Sequence, residues 1–348
     1  MANTVPAITA RLRWEAAEYQ ILAPYASFAG KSRGRRVFEE ESDTRTAYQR
    51  DVDRITHSKA YRRLIHKTQV FLSPKSEHYR TRLTHTLEVS RIARTIARAL
   101  MINEDLTEAI AAGHDLGHAP FGHAGERALD AMLKQYDPGL AFRHAENSLR
   151  VVTSFEKNGA GLNLTLETED GILNHTHSGN PATLEGKVVR LSDRVAYLNH
   201  DCDDAIRAGI LSPEDLPKTV RQTLGERVSD RINALVTDAI SASRPQDGVI
   251  ALSDKYAEAY QLFFEFMTDS VYKNPTAKKE EAKIQDLISA LFQYYYGAAE
   301  KMPSEFIDLA GRDGKLAAVC GYISCMTDNY AIDRFTDLFV PKIWATGG

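Results

Sequence analysis

An all-α fold is what this sequence predicts, and three observations predict it. Apolar residues recur at helical spacing from end to end, period-two alternation bounded by turn residues is scarce, and neither an internal repeat nor a low-complexity linker breaks the pattern. The 348 residues, 43% hydrophobic and 26% charged, can bury one large core or two and are too apolar for disorder. The simplest organisation is one continuous helical unit: an N-terminal helical and loop extension over 1–60, a core over 61–210 and a C-terminal helical region over 211–348 packed on it.

Taken in order, the first strong stripe is Val89, Ile92, Ile96 and Leu100; one turn back from Val89 stands His85, which therefore faces inward. The run from Glu108 to Asp115 reads as a helix with Ile110 one turn before His114, and Gly113 permits a close neighbour or marks a helix end. Gly117, Pro120 and Gly122 make the next segment a turn into a helix, with Pro120 at the first helical position. From Arg143 to Lys157 the inward face carries Leu149, Val152 and Phe155, which puts His144 near a helix amino end. Val189, Asp193, Tyr197 and Asp201 recur every four residues and share one helical face. Ser212 and Pro213 read as a capped helix start, and residues 243–248 as a loop. Tyr256 to Val271 and Ile284 to Tyr295 read as aromatic-rich amphipathic helices suited to packing or oligomer contacts.

The net charge of −4 neither demands nor excludes a polyanionic partner, so any such partner must be recognised locally. Arg33, Arg35 and Arg36 form one basic cluster, read as a solvated loop; Arg80, Arg82, Arg91, Arg94 and Arg98 form another around His85. Cys202, Cys320 and Cys325 form no CxxC pair and are too few for a disulfide framework, which fits a reducing, cytoplasmic setting. No segment has the apolar length of an export signal or a membrane span.

His85, the adjacent His114 and Asp115, and Asp193 punctuate these apolar stretches. Buried ionisable groups are costly unless paired or metal-bound. Taken singly, each histidine reads as a hydrogen-bonded residue; two imidazoles and two carboxylates together match a divalent ion with open positions for water and substrate oxygens. Neighbours in sequence cannot share one straight helical face, so joint ligation by His114 and Asp115 requires a helix end or a distortion. His123 and Glu126, three apart, have the form of an acid/base pair, against the plainer reading of a surface pair worth roughly 0.3–0.5 kcal/mol. His118 and His144 are further candidates, His144 preferred. His175 and His177 read as solvent-facing loop residues. Arg82, one turn before His85, could grip a phosphate oxygen or pair with Glu88.

These residues resemble the HD-domain superfamily of metal-dependent phosphohydrolases, all-helical and defined by His…His-Asp…Asp, and more closely the bacterial deoxyguanosinetriphosphate triphosphohydrolase-like proteins. The resemblance is carried by ILAPYA near 21, SRGRR at 32, RDVDRITHSKAYRRLIHKTQVF at 50, YRTRLTHTLEVSRIAR at 79, GHDLGHAPFGHAGE at 113 and VVRLSDRVAYLNHDCDDAIRAGIL at 188. It implies an HD helical fold with additional C-terminal helices, and His85, His114, Asp115 and Asp193 as ligands of a divalent ion such as Mn2+, Mg2+ or Fe2+. It makes His123 and Glu126 the catalytic pair and places His144 at the α-phosphate region. Gln69 would contact the deoxynucleoside and Arg82 the α-phosphate. Tyr197 and Asp201 would read the deoxyribose and its 3′-hydroxyl, with Arg194 on phosphate. The similar stretch VCGYISCMTDNYAIDRF departs at Gly321, where an acidic residue is expected, and at Asn329, where a basic one is.

The implied reaction is hydrolysis of a deoxynucleoside triphosphate to deoxynucleoside and inorganic triphosphate, by water attack at the α-phosphorus. A cation there polarises phosphorus and lowers the pKa of water. A homo-oligomer and an effector, deoxynucleotide or single-stranded DNA, are implied by the resemblance alone. The alternatives are an HD-type nucleotide phosphomonoesterase or phosphodiesterase, and a non-catalytic nucleotide or nucleic-acid sensor.

Overall fold

The structure is a computed structural model that describes residues 9–69, 79–273 and 275–342, with backbone only for 275–279. Val70 and Phe71, the end of one motif quoted above, and the first eight residues lie outside the described residues. Among those described, the backbone forms α-helices joined by short 3₁₀ and π turns, and extended pairing is confined to isolated bridges such as Thr68 with Thr81. The helices are α1 (Ala10–Ile21), α2 (Ala47–Thr56), α3 (Lys59–Arg63), α4 (Arg82–Ala99), α5 (Glu104–Gly113), α6 (Gly122–Tyr136), α7 (His144–Arg150) and α8 (Leu166–Leu173). They continue with α9 (Leu184–Arg207), α10 (Lys218–Leu224), α11 (Val228–Ala242), α12 (Asp254–Met267), α13 (Pro275–Gly297), α14 (Ser304–Asp313), α15 (Lys315–Ser324) and α16 (Asp328–Phe339).

Side-chain caps set several of the starts. Thr46, Thr81, Asn103, Thr165 and Thr183 each accept a backbone N–H from the first turn of α2, α4, α5, α8 and α9. Such a cap satisfies a donor that the helix leaves without a partner and is worth about 1 kcal/mol. Two starts differ from the sequence reading. Ser212 caps only a single 3₁₀ turn, Pro213–Asp215, and the next helix waits until Lys218. α6 begins at Gly122 rather than at Pro120, because Phe121 adopts the left-handed conformation (φ 62°, ψ 25°) and turns the chain first.

The apolar stripes then choose the packing. Val89, Ile92 and Ile96 of α4 meet Val188, Val189 and Val195 of α9 and Leu106 and Ile110 of α5 in one core, closed on its far side by α10, α11 and α12. Burying each large aliphatic side chain contributes roughly 1.5–3 kcal/mol, so this core holds α4, α5 and α9 rigidly together. A second core joins Leu129, Met132 and Leu133 of α6 to Ile288, Leu291 and Phe292 of α13 and Val319 and Ile323 of α15. A third lies under α2, α3 and α8. α5 ends, and α6 and α7 begin, where these cores meet. Gly321 is needed there for packing: a Cβ would lie 2.8 Å from the Phe155 ring, so the acidic residue expected at this position has no room, whereas Asn329 is exposed.

Candidate metal and acid/base site

His85 projects from the second turn of α4 and is buried beside the Val89 stripe. Helix α5 stops at Gly113, so His114 and Asp115 leave the helix in a tight turn and can diverge onto one point. Gly113 makes this possible, since a Cβ would sit 2.5 Å from Ile172 Cδ1 and push α8 away. Gly117 is held harder still: its Cβ would lie 2.1 Å from the backbone nitrogen of Ser148. Hydrogen bonds pin the same turn to α7, from Ser148 Oγ to His114 O (2.6 Å), Gly117 N to Ser148 Oγ (2.9 Å) and Asn147 Nδ2 to Gly117 O (2.7 Å).

Ligand atoms of His85, His114 and Asp115 lie within 4.8 Å of one another, and Asp193 reaches the two histidines. His85 Nε2 is 3.1 Å from Asp193 Oδ1, and His114 Nε2 is 3.7 Å from Asp115 Oδ1 and 3.8 Å from Asp193 Oδ1. His114 Nδ1 donates to Ala111 O at 2.7 Å, which fixes the ring and turns its Nε2 lone pair inward. That Nε2 is buried and without a hydrogen-bond partner. A buried acceptor left unpaired costs about 1–3 kcal/mol, and a divalent cation would satisfy it together with two carboxylates, so the residues present fit such an ion. Electrostatics agree. Burial disfavours the Asp193 carboxylate, but the His85 hydrogen bond and the nearby His114 outweigh it and bring its pKa to about 2. Burial likewise opposes charge on Asp115, yet the Arg82 guanidinium, its Nη1 2.6 Å from Asp115 Oδ2, holds the carboxyl well below its usual range. Arg82 thus pairs with Asp115 rather than with Glu88, which Arg80 takes at 3.1 Å.

A second cluster adjoins the first through Asp115, whose carboxylate lies within 4.8 Å of ligand atoms of His118 and His144. Glu126 is its hub: it accepts from His123 Nδ1 (3.3 Å), His144 Nδ1 (3.0 Å) and the His144 amide (3.0 Å). Burial opposes the Glu126 charge, but these two imidazoles hold it far below the ordinary carboxylate range, and against the burial penalty Glu126 raises the pKa of His144. His118 stacks on His144 with ring centroids 4.6 Å apart, and burial, then Arg82, keep it neutral. His123 is the exposed member, its side chain 68% accessible, so it faces whatever enters.

On α9, Asp193 and Tyr197 lie partly exposed and Asp201 is buried, accepting a hydrogen bond from Tyr272 at 2.7 Å while burial pushes its pKa up to about 7. Arg194 lies over the Tyr260 ring, its guanidinium 5.0 Å from the centroid, and Gln69 is partly buried with its Oε1 unpaired.

Several residues escaped the sequence reading. His175 is not a solvent-facing loop residue: it is 1% exposed, donates through Nδ1 to Ile172 O, and lies 5.1 Å from the His114 ring, with its pKa lowered to about 4 by burial and by His114. His177 is exposed as expected. His200, one turn beyond Tyr197, packs 5.9 Å from the His85 ring. Lys67 and Asp328 tie the C-terminal helices to the site. Lys67 Nζ, fully enclosed, donates to His118 O (2.5 Å) and Ser324 O (2.8 Å), and burial brings its pKa down to about 7. Asp328 accepts from Thr68 N (3.1 Å), Thr68 Oγ1 (2.6 Å) and the Phe121 amide (2.9 Å), bracing both the approach to Gln69 and the left-handed turn before His123. No local spacing announces such contacts; only the burial of a lysine hints at them.

Comparison with known proteins adds an independent line. The family profile described as HD domain matches residues 82–198, and that of a phosphohydrolase-associated domain matches 250–337. A deoxyguanosinetriphosphate triphosphohydrolase-like protein of Caldanaerobacter subterraneus subsp. tengcongensis is 53% identical over 330 residues, covering 95% of this chain and 96% of the relative. Proteins of the same description from Desulfatibacillum aliphaticivorans (43% identical, 96% and 99% covered) and Clostridium tetani (42%, 98% and 99%) are similar along nearly their full length.

Proposed function

This chain belongs to the HD-domain phosphohydrolases, among the deoxyguanosinetriphosphate triphosphohydrolase-like proteins, and on that premise we propose that it hydrolyses deoxynucleoside triphosphates to deoxynucleoside and inorganic triphosphate. The observation that carries this reading is the junction of the two clusters at Asp115: a set of four inward ligand atoms on one side and a Glu126-centred histidine set on the other. His85, His114, Asp115 and Asp193 would hold a divalent cation, which supplies positive charge at a phosphate oxygen and lowers the pKa of water.

The protein's own groups do the rest. Arg82, fixed by Asp115, presents its guanidinium to the α-phosphate, and Arg194 meets phosphate from α9. His123, steered by Glu126, exchanges a proton with the reacting oxygen, a role that calls for an exposed imidazole held at one nitrogen and free at the other. His144, whose pKa Glu126 raises against the burial penalty, stabilises negative charge developing at the α-phosphoryl group. Tyr197 packs against the deoxyribose where a 2′-hydroxyl would be crowded, and Asp201 accepts from the 3′-hydroxyl beside Tyr272.

The test is a panel of the four deoxynucleoside triphosphates with manganese, magnesium and ferrous ions, chromatographed for products. Inorganic triphosphate is the expected product; release of phosphate or pyrophosphate instead would turn the assignment to an HD phosphomonoesterase or phosphodiesterase. His123→Ala should lower turnover by roughly 10²–10⁴-fold with bound metal unchanged. A mutant as fast as the parent removes His123 from the mechanism.

A further inference from the structure

The loop that follows the Arg33–Arg36 cluster holds an aromatic side chain out in water. Phe38 is 91% exposed and its neighbour Val37 66%. Their backbone is nonetheless pinned. The Val37 amide donates to Asn163 Oδ1 at 3.1 Å, Asn163 Nδ2 donates to Val37 O at 2.9 Å, Arg50 Nη1 donates to Glu40 O at 3.1 Å, and Glu39 pairs with Arg35, Arg50 and Arg54. Glu40 and Glu41, next along the loop, are exposed. A lone exposed apolar residue is ordinary. An aromatic knob on a pinned loop, flanked by two carboxylates, has the make-up of an interface anchor, because little ordering is left to do when it docks.

A groove of complementary character runs between α9 and α12. It encloses about 650 Å³, and Leu191, Leu252 and Leu262 give it an apolar lining while Lys187, Arg190 and Arg194 line it with positive charge. Neither the four candidate metal ligands nor the Glu126-centred histidines line it. The partners of its cations are neutral: Lys187 Nζ donates to Gly248 O at 2.8 Å, Arg190 Nη1 donates to Gly179 O, and Arg194 lies on the Tyr260 ring. Two carboxylates, Glu258 and Glu265 of α12, share the groove, and Gln261 already donates to Glu265 at 2.8 Å, so the cations are in excess. Helix α12 is also one of the two amphipathic helices whose sequence suits oligomer contacts, and it leaves Leu262 exposed here. The dimensions agree. At the rise of extended chain, roughly 3.3 Å per residue, Glu40 and Glu41 stand about 7 and 10 Å from Phe38. Helix α9 spreads its three cations over about 10 Å, so the ring and both carboxylates can engage together.

We propose that this groove is the socket for a second copy of this chain: Phe38 of one copy enters against Leu191 and Leu252 of the other, and Glu40 and Glu41 meet Arg190 and Lys187. The pinned loop leaves Phe38 uncovered in its own chain, so a second copy supplies the seat. Each copy carries one knob and one socket, and reciprocal insertion closes a symmetric pair. Pairing takes an exposed ring out of water and gives the groove cations charged partners. The inference concerns assembly and stands apart from the proposed reaction.

The experiment is sedimentation velocity of the full-length protein over a range of micromolar concentrations, with circular dichroism to confirm folding. The parent should associate, and less so as salt is raised, because the charge pairs are screened. Phe38→Ser should weaken association about 30-fold or more, the scale of an aromatic anchor. Reversing both knob carboxylates (Glu40→Lys with Glu41→Lys) or both socket cations (Lys187→Glu with Arg190→Glu) should weaken it about tenfold or more, since like charges then face each other. The chain carrying all four reversals should recover most of that loss, which no general damage to the surface would produce. The knob variants change exposed loop side chains only, so they decide the matter even if the socket variants fold poorly. Association that survives Phe38→Ser and the knob reversal places the interface elsewhere and overturns the proposal. A parent that stays monomeric at every concentration overturns it as well and leaves the groove to some other acidic ligand.

Discussion

Replacing Asp328 by Ala strikes the turn before His123 from the far end of the chain. Its carboxylate accepts from two backbone amides, Thr68 and Phe121, and from the Thr68 hydroxyl. Truncation leaves both amides without a partner, and each buried unpaired donor costs about 1–3 kcal/mol, so the change should destabilise by about 2–6 kcal/mol. The lower end applies if water reaches Thr68, which is only partly buried. Activity should suffer as well. Phe121 occupies a left-handed conformation that costs roughly 1–3 kcal/mol and persists because its surroundings hold it. Without the Asp328 bond the turn relaxes, His123 and Glu126 shift with α6, and a displacement of about 1 Å suffices for a 10²-fold loss of turnover. Metal binding should persist, because the four candidate ligands stand on α4, the end of α5, and α9. Asp328→Asn keeps one acceptor oxygen and should fall between parent and Ala. The assay is urea unfolding alongside steady-state kinetics and metal analysis. An Ala variant with parental stability and parental kcat would refute the bracing role.

Gly117→Ala should be worse than a typical surface change: the new Cβ meets Asn147 and Ser148 backbone atoms at 2.1–2.6 Å, so α7 must move, and a loss of about 3 kcal/mol or more by unfolding is expected. His114→Ala should lower the affinity for manganese at least tenfold in equilibrium dialysis while leaving the fold intact by circular dichroism; undiminished binding would remove it from the ligand set. Glu18 predicts a pH effect. Burial raises its pKa to about 7, above the ordinary 4.5, so the folded chain holds an extra proton between those values. Its contribution is therefore fully present below pH 4.5 and is lost as pH rises through 7. Glu18→Gln should abolish that part of the stability decline between pH 5 and 8, and an identical pH slope in the variant would count against it.

Much of this could be read before any coordinates. The stripe from Val89 to Leu100 predicts both α4 and the inward aim of His85, because helical periodicity is local and the side chains one turn apart must share a face. The same logic puts Asp193, Tyr197 and Asp201 on one side of α9, and the requirement for a helix end at His114 follows from two neighbours needing one target. The resemblance named residues for roles; the structure shows which of them lie together. What failed was of another kind. His175 sits in a loop-like stretch, and only the packing of α8 against the end of α5 buries it. Pro120 carries a helix-start signal, yet Phe121 turns the chain one step later.

Residue type and spacing alone determined that the chain is helical and which faces turn inward, and singled out the side chains that are candidates for ligand or proton chemistry. Tertiary structure decided the rest: that Arg82 pairs with Asp115, that Glu126 holds two histidines at once, that Lys67 links the turn at His118 to Ser324, and that Asp328 braces the turn from more than 200 residues away. The division has a physical cause. Periodicity and capping act within a turn or two of the chain, whereas a buried charge finds its partner wherever packing leaves a donor or acceptor unsatisfied, irrespective of sequence distance.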